Sequence, residues 1–331
     1  MTPERFDEIV SAYANLRIAV IGDFCLDRYL EIDPARAESS IETNLTVHNV
    51  TRVRYQPGGA GTIVNNLSAL GVGQIIPIGF CGKDAEGYEL VSALESVQGV
   101  DLDHFLQTPK RRTFTYCKPL LMHADSAPEE LNRLDFKNWS PTSDSVSGAL
   151  AHTIRTVAGN VDAFIVLDQV EEADTGVIGR ITLEAIGECI TMNRELTAVG
   201  DSRRGFENWP PLTLKMNASE FERFFGRPVD SWDGNEEIVS RYGQVFVTLA
   251  EKGILGVAAD GYSIQETALP VRGEIDIVGA GDSVTANLTC ALASGAGVEE
   301  SIRLANRAAS IVIHQLGTTG TATVDQLKGL L

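Results

Sequence analysis

The chain has 331 residues, of which 44% are hydrophobic, so it is long enough to bury a large core. Its formal net charge of −18 argues against a general nucleic-acid-binding protein, because such proteins need a basic surface. The five cysteines are widely spaced without a Cys-x-x-Cys pair, and no apolar run approaches the length of a membrane span. We therefore expect a cytoplasmic protein with reduced thiols and no nucleic-acid or membrane partner.

The first predicted elements belong to two different kinds of sheet. Residues 3–14 carry apolar side chains at helical spacing, and the apolar run at residues 16–22 is typical of a strand buried inside a parallel sheet. Residues 43–56, 112–122 and 131–136 instead mix β-forming and polar residues. These three segments predict a small sheet with one solvated face, which we interpret as a lid over a cleft.

Strand and helix patterns alternate from residue 57 onward. The helical patterns begin at Gly58-Gly59-Ala60-Gly61, which opens a helix through Leu70, and continue at 84–97 and 174–190; the strand patterns lie at 75–80, 163–167, 196–200, 212–216 and 245–249. This alternation predicts an α/β fold with a mostly parallel central sheet and helices on both faces. Asp168, Asp201 and Asn217 directly follow three of the strands, at the edge where open α/β sheets bind ligands. Residues 124–130 and 202–211 are predicted loops.

The strongest local motif is Gly279-Ala280-Gly281-Asp282, which leads into a helical pattern that ends near Gly295. Small residues before a helix let backbone amides converge at its N-terminus, where they bind anions. A carboxylate at that place is explained if Asp282 takes a proton from an attacking hydroxyl. A helix cap after a glycine turn explains the same residues, and the motif by itself leaves both interpretations open.

Two weaker motifs also have a structural and a functional interpretation. Gly58-Gly59 precedes a helix, so it either lets the backbone approach a ligand closely or simply makes a tight turn. Asn217 and Glu220 match the spacing of a capping pair, and they are also candidates for outer ligands of Mg²⁺ and phosphate. The spacing does not decide between these interpretations.

Basic residues form three short clusters, Arg52/Arg54, Lys110-Arg111-Arg112 and Arg203/Arg204. They are either solvated surface or, in a chain this acidic, the local site that an anionic substrate would need. The five histidines lack metal-ligand spacing. Neither a P-loop motif nor a Gly-x-Gly-x-x-Gly motif occurs, so the sequence does not indicate a P-loop or dinucleotide enzyme.

Taken in order, these motifs resemble those of the ribokinase/PfkB family of carbohydrate kinases, from about Arg17 to the C-terminus. The matching segments are Gly22 to Asp27, Gly58-Gly59-Ala60-Gly61-Thr62, Asn217-Ala218-Ser219-Glu220, Val247-Thr248-Leu249 with Gly253, Gly279-Ala280-Gly281-Asp282, and Asn306. The resemblance implies a ribokinase-like three-layer α/β sandwich with a central, mostly parallel sheet and a small β-sheet lid. It also implies a single kinase domain over residues 1–331, with lid strands inserted near 28–56 and 111–136.

The resemblance further implies a sugar kinase that uses ATP and Mg²⁺, with K⁺ as a candidate additional ion. The catalytic group would comprise Asp282 as the base and Gly279, Ala280 and Gly281 as the anion hole. The sugar-binding group would comprise Asp27, Gly58, Gly59, Thr62, Arg112, Lys118 and Asp168. The nucleotide-binding group would comprise Lys215, Asn217, Glu220, Thr248, Gly253 and Asn306. Glu220 and Asn217 would hold Mg²⁺ through water, and Asp276 is the candidate ligand of a monovalent cation.

Within the family, the nearest likeness is to the kinase half of bacterial heptose-phosphate kinase/adenylyltransferases. It rests on Leu26-Asp27-Arg28-Tyr29, on Asn132 to Phe136 and on Asn217 to Phe221. It implies transfer to the anomeric hydroxyl of a phosphorylated sugar such as heptose 7-phosphate, and a homodimer formed through the lid. Thr62, Gln169 and Lys215-Met216 depart from the usual pattern, so the sugar stays open. The alternatives are a kinase for another sugar or a nucleoside, and a non-catalytic sugar or nucleotide sensor on the same fold.

Overall fold

The computed structural model describes residues 1–123, 128–232 and 236–331. Its helices are α1 (Pro3–Ser11), α2 (Ala60–Ala69), α3 (Ala85–Glu95), α4 (Asp144–Val157), α5 (Arg180–Met192), α6 (Ala218–Phe225), α7 (Glu236–Tyr242), α8 (Ala280–Ala293), α9 (Val298–Val312) and α10 (Val324–Lys328). Its strands are β1 (Arg17–Gly22), β2 (Phe24–Ile32), β3 (Glu38–Ser39), β4 (Thr46–Val47), β5 (Val50–Gly59), β6 (Gln74–Ile78), β7 (Phe80–Gly82), β8 (Leu106–Thr108), β9 (Phe114–Leu121), β10 (Glu129–Glu130), β11 (Leu134–Phe136), β12 (Ala163–Asp168), β13 (Thr197–Ser202), β14 (Thr213–Asn217), β15 (Val245–Thr248), β16 (Ile254–Val257) and β17 (Ser263–Glu266). No helix in these ranges is long and apolar enough to cross a membrane.

In the described part of the chain, eight strands form the main sheet in the order β17-β16-β15-β14-β13-β12-β1-β6. The strands from β15 to β6 run parallel, and β16 and β17 extend the sheet as an antiparallel edge. Alternate residues of the central strands face opposite cores. Ala19 and Phe164 pack with α4 and α5, whereas Ile18 and Ile165 pack with α2, α8 and α9. The result is three layers, helix, sheet and helix, which confirms the predicted α/β architecture.

A second, smaller sheet stands apart from the main one. The strands β10, β9, β2 and β5 lie side by side in that order, and β11 also pairs with β9. β2 runs parallel to β9 and antiparallel to β5, which places Asp27 opposite both Tyr116 and Gln56. Val53 and Tyr55 of β5 remain exposed although they are apolar. The predicted small sheet is therefore present, and one of its faces carries apolar side chains in contact with solvent.

The helix predicted at residues 174–190 begins six residues later than expected, at Arg180. The backbone before Arg180 bonds Asp23 instead of forming a helix. The amide of Val177 donates to the buried carboxylate of Asp23 at 2.7 Å. The amide of Gln169 donates to the same carboxylate at 2.9 Å. Asp23 thus holds the segment after β12 in a loop and delays the start of α5.

Two further predicted boundaries differ from the structure. The strand predicted at residues 75–80 ends at Ile78, and the next residues form β7, which pairs with β8 rather than with the main sheet. Within the loop predicted at 124–130, residues 129–130 form β10 and extend the small sheet. Residues 124–127 of that predicted loop lie outside the described residues.

Candidate active site

Three neighbouring parallel strands bring polar side chains to one edge of the main sheet. β12 ends at Asp168, β13 ends directly after Asp201, and β14 ends at Asn217. The start of α8 faces this edge, since the hydroxyl of Thr285 in its second turn donates to Asp201 at 3.0 Å. The carboxyl ends of the strands and the N-terminus of α8 therefore meet at one place. In open α/β sheets, ligands bind at this edge.

The first turn of α8 carries the backbone groups of the predicted anion site. Gly279 precedes the helix with a φ of 82°, a left-handed conformation that favours glycine. The amide of Ala280 donates to a carbonyl of the preceding loop at 3.2 Å. The amides of Gly281 and Asp282 bond no acceptor in the described part of the chain, so they are free at the positive end of the helix.

A buried ammonium group lies beneath this helix start. Lys215 is 5% exposed, and its Nζ donates to Asp201 at 2.7 Å. A side chain at Gly281 would approach this Nζ to 3.1 Å, so the glycine keeps the lysine close to the free amides. Burial lowers the pKa of Lys215, but the carboxylate of Asp201 outweighs burial and the net pKa is raised. Lys215 therefore stays charged beside the predicted anion site.

The carboxylate of Asp282 has no hydrogen-bond partner in the described residues, and the helix is capped by Gly279 without any side-chain bond. This geometry gives no support to the interpretation of Asp282 as a cap. Burial raises the pKa of Asp282 to about 7, and Asp201 and Asp27 add to the effect, whereas Lys215 lowers the pKa. A carboxylate with a pKa near neutrality is suited to accept a proton from a hydroxyl at ordinary pH.

Asn217 and Glu220 are joined in the manner that their spacing predicts. Asn217 Oδ1 accepts a hydrogen bond from the backbone amide of Glu220, and Glu220 Oε2 accepts one from the backbone amide of Asn217, both at 2.8 Å. The other carboxylate oxygen of Glu220 has no partner in the described residues, which suits a bond to a water of hydrated Mg²⁺. The described ranges contain no group of three or more His, Cys, Asp or Glu side chains that could hold a metal. The free oxygen of Glu220 fits an outer ligand of Mg²⁺, and metal binding by Glu220 and Asn217 stays a prediction.

Asp27 is the polar centre of the predicted sugar side. It lies on β2, is 5% exposed, and faces Lys118 of β9 with 3.4 Å between carboxylate and ammonium. A side chain at Gly58 would come within 3.0 Å of this carboxylate, and Gly59 has a φ of 58°. Burial raises the pKa of Asp27, and Lys118 partly opposes this effect. The small sheet and the glycine turn thus hold a carboxylate and an ammonium together, a pair that can bind sugar hydroxyls.

Two other predicted sugar ligands are buried. Asp168 is 1% exposed, and its carboxylate accepts bonds from Arg204 at 2.9 Å and from Ser202 at 2.8 Å. Thr62 is 2% exposed in the first turn of α2. The structure brings Asp168 to the correct edge of the sheet but already gives it protein partners. Sugar binding by these two residues stays a prediction.

The predicted nucleotide-binding residues lie toward the antiparallel edge of the main sheet. The hydroxyl of Thr248 donates to a carbonyl of β14 at 3.4 Å. Gly253 has a φ of 89°, and a side chain there would overlap the carbonyl of Glu266. Asn306 of α9 donates to the carbonyl of Thr267 at 2.7 Å. These bonds fix α9 and the turns around β16 and β17 relative to each other, and nucleotide binding by these residues stays a prediction.

The candidate cation ligand Asp276 joins two loops. One of its oxygens accepts the amide of Val278 at 3.0 Å, and the other accepts the amide of Gly317 at 3.3 Å. The carboxylate thus ties the loop before α8 to the segment after α9. Its role as a ligand of a monovalent cation stays a prediction.

The basic residues near the small sheet have specific partners. Arg111 is 7% exposed and donates to backbone carbonyls of Ser140 and Thr175, so it is a buried structural residue. Arg112 lies 3.5 Å from Glu86, and its guanidinium stacks 4.6 Å from the ring centroid of Phe136. Substrate binding by Arg112 and by the better-placed Lys118 stays a prediction.

Sequence reasoning missed the pairing of Lys215 with Asp201. The two residues stand directly opposite each other on the adjacent parallel strands β14 and β13. The available signal was the presence of one residue of each charge inside two otherwise apolar strands. Reading that signal requires the strand order and register, which the sequence pattern does not supply.

Comparison with known protein families identifies the chain's relatives. The family model described as pfkB family carbohydrate kinase matches residues 16–119 and 207–324. Similar curated proteins include the bifunctional protein HldE of Rhodospirillum rubrum, which is 30% identical over 98% of this chain, and that of Alkalilimnicola ehrlichii, which is 31% identical over 96% of this chain. The chain spans 64% of the length of each of these relatives.

Solved structures show the same fold. Phosphofructokinase-2 from Escherichia coli in complex with fructose-6-phosphate is 20% identical, with a TM-score of 0.69 over 95% of this chain and 97% of that chain. Ribokinase from Arabidopsis thaliana complexed with ribose and ATP is 19% identical, with a TM-score of 0.65 over 95% of this chain and 98% of that chain. At these identities the likeness shows the fold alone, and it confirms the predicted ribokinase-like architecture. Because the family model covers more than half of the chain, the chain belongs to the pfkB family of carbohydrate kinases, which are phosphotransferases acting on a sugar hydroxyl.

Proposed function

We propose that the chain transfers the γ-phosphoryl group of ATP to the anomeric hydroxyl of a phosphorylated sugar, such as a heptose 7-phosphate. The observation that carries the proposal is the carboxylate of Asp282, which has no hydrogen-bond partner in the described residues and stands beside free amides at the start of α8. The sugar class is supported by the likeness of Leu26 to Tyr29 and of Asn132 to Phe136 to heptose-phosphate kinases, and by the similarity to proteins named HldE.

In the proposed reaction, Asp282 accepts the proton of the sugar hydroxyl. The hydroxyl oxygen forms a bond to the γ-phosphorus of ATP while the bond from that phosphorus to the departing ADP oxygen breaks. The free amides of Gly281 and Asp282 and the ammonium of Lys215 stabilise the negative charge on the transferring group. Asp201 holds Lys215 in this position at 2.7 Å.

The metal would be held by Glu220 through water, and the backbone amide of Asn217 fixes the carboxylate of Glu220 by a 2.8 Å bond. When bound, Mg²⁺ neutralises charge on the phosphate oxygens. Burial raises the pKa of Glu220, the bond from the amide of Asn217 opposes burial, and Asp201 raises it again. A divalent cation near Glu220 would favour its ionised form.

On the sugar side, Asp27 and Lys118 would bind hydroxyl groups of the substrate, and the Gly58-Gly59 turn would let the sugar approach the backbone. Both side chains lie on the small sheet, so closing that sheet over the substrate would exclude water from the reacting groups. We also propose that two copies pair through the small sheet, since a dimer would cover the exposed apolar side chains of Val53 and Tyr55.

The test is a coupled ADP-release assay on matched sugars with and without a terminal phosphate, with the product identified by phosphorus NMR. We expect ADP release with the phosphorylated sugar, an anomeric phosphate as product, and no transfer by Asp282→Asn. Absence of sugar-dependent ADP release across the panel would favour a non-catalytic sensor. Equal kcat/KM for the free and the phosphorylated sugar would refute the phosphosugar assignment and leave a sugar kinase of another specificity.

A further inference from the structure

Most basic residues around the proposed sugar site face a carboxylate, although Glu31 and Glu86 each face two arginines. The ion pairs are Arg52 and Arg54 with Glu31, Arg28 and Arg112 with Glu86, Lys118 with Asp27, Arg133 with Asp135, and Arg204 with Asp168. Their closest nitrogen–oxygen distances run from 2.6 Å in the Arg54 pair to 3.9 Å in the Arg28 pair. A cation that already faces a carboxylate attracts an incoming anion less than a free cation does.

Arg203 differs from these residues. Hydrogen bonding fixes the amide orientation of Gln169 so that its side-chain oxygen accepts from Arg203, at 2.6 Å from Nη2 and 3.2 Å from Nε. The backbone amide of Arg203 donates to the carbonyl of Asp168 at 3.0 Å, which anchors the residue just after β13. No carboxylate in the described ranges forms an ion pair with Arg203, and the residue is exposed. Its guanidinium is therefore oriented by a neutral group, and the carboxylates whose pKa it lowers, those of Asp282 and Glu171, form no ion pair with it.

The charge of Arg203 acts on groups of the small sheet and at the start of α8, where it lowers the pKa of Asp282 against the effect of burial. Burial raises the pKa of Tyr116 on β9, and Arg203 acts in the opposite direction. Burial likewise raises the pKa of Cys25 on β2, again opposed by Arg203. Both strands belong to the small sheet, and Gln169 directly follows β12. The backbone bond to Asp168 and the bond to Gln169 therefore place the guanidinium at the carboxyl edge of the main sheet, and its effects on Tyr116 and Cys25 are consistent with the small sheet lying close by.

Arg223, on α6, is a separate basic group. Its side chain donates to the backbone carbonyl of Arg203 at 2.5 Å, whereas the guanidinium of Arg203 has its partner in Gln169. The two arginines therefore have different partners.

We propose that Arg203, positioned by Gln169, binds the phosphate group of the sugar substrate and thereby sets the preference for a phosphorylated sugar. The inference rests on the proposed function and names the specificity residue of that site. A dianionic substrate must enter a chain with a net charge of −18, close to the carboxylates of Asp27 and Asp282, so it needs a cation that no carboxylate already neutralises. The guanidinium fork suits phosphate because it offers paired donors.

The experiment compares four variants with the wild type, using heptose 7-phosphate, the same heptose without its phosphate, and ATP. Arg203→Gln should raise KM for the phosphosugar roughly 10- to 100-fold, because one charge-assisted bond is lost, with little change in KM for ATP. Arg203→Lys should give an intermediate rise, since it keeps the charge but loses the fork. Arg180→Gln, an exposed arginine paired with Glu184 on α5, is the control and should change neither constant.

Gln169→Glu provides a test that does not remove the arginine. It keeps the shape of the side chain but places a carboxylate against the guanidinium, so the phosphosugar KM should rise although the melting temperature does not fall. A purely structural role for Arg203 predicts no such rise.

The outcomes separate this inference from the proposed function. If the wild type shows no preference for the phosphosugar, the proposed sugar class fails and this inference fails with it. If the preference is present but survives in both Arg203→Gln and Gln169→Glu, the inference alone is overturned. A rise in KM for ATP rather than for the phosphosugar would also overturn it and would assign Arg203 to the nucleotide.

Discussion

The substitution Asp282→Asn tests the proposed base against the helix-cap interpretation, because the two predict opposite changes in stability. Asparagine keeps the size of the side chain but cannot accept the hydroxyl proton. Loss of a general base lowers kcat by about 10²–10⁴-fold. A capping residue, in contrast, stabilises its helix, so its replacement would lower the melting temperature and leave catalysis intact.

The expected stability change follows from the pKa of Asp282. Burial is the main reason that this pKa rises from 3.8 to about 7 in the folded chain. The folded state therefore favours the protonated form of Asp282. The free energy of unfolding falls as the pH rises from the ordinary pKa of 3.8 toward about 7. Above about pH 7 the carboxylate of Asp282 is ionised in the folded chain, and this charge lowers the free energy of unfolding by at most about 4 kcal/mol. Asparagine stays neutral, so Asp282→Asn should stabilise the protein most at alkaline pH.

The assay combines kcat with melting temperatures at about pH 5.5 and about pH 8.5, between which the stabilisation should grow by about 2 kcal/mol. Asp144→Asn is the matched control, because Asp144 is an exposed aspartate in the first turn of α4. It should lower stability by about 0.3–1 kcal/mol through the helix dipole and leave kcat unchanged. Near-native kcat for Asp282→Asn, or a lower melting temperature at the alkaline pH, would refute the assignment of the base.

Three further predictions concern the rest of the site. Lys215→Met leaves the carboxylate of Asp201 buried without its partner, so denaturant unfolding should show a loss of about 3–5 kcal/mol; unchanged stability would contradict the buried ion pair. Glu220→Gln should raise the Mg²⁺ concentration for half-maximal rate about 10-fold with the sugar KM unchanged, and an unchanged Mg²⁺ requirement would remove Glu220 from the metal site. Light scattering should show a dimer at micromolar concentration that Tyr55→Arg converts to monomers, whereas a fully active wild-type monomer would exclude pairing through the small sheet.

The fold was predictable because its strongest signals are local. The central strands are continuous apolar runs, such as Ile18 to Ile21, which are buried on both faces and separated by helical patterns. The glycine motif at the start of α8 was equally visible in the sequence. Gly279 has a φ of 82°, a backbone conformation that favours glycine over other residues. Constraints of this kind involve only a few neighbouring residues, so they can be recognised in the sequence.

The partners of the charged side chains were not predictable in the same way. Arg111 belongs to a basic cluster that looks like solvated surface, yet it is buried against backbone carbonyls of Ser140 and Thr175. Asp23 ties together segments that are about 150 residues apart, through bonds from the amides of Gln169 and Val177. Contacts of this kind depend on the order and register of the strands, and no periodicity in a single sequence encodes them.

Most charged side chains at the proposed site are paired with an opposite charge inside the protein. Asp27 faces Lys118 and Asp201 faces Lys215, so two of the carboxylates at the site are balanced within the protein. A buried charge without a counter-charge is unfavourable for folding, and such groups persist where function requires them. Asp282 has no such partner, which is consistent with a group that waits for the proton of a substrate hydroxyl.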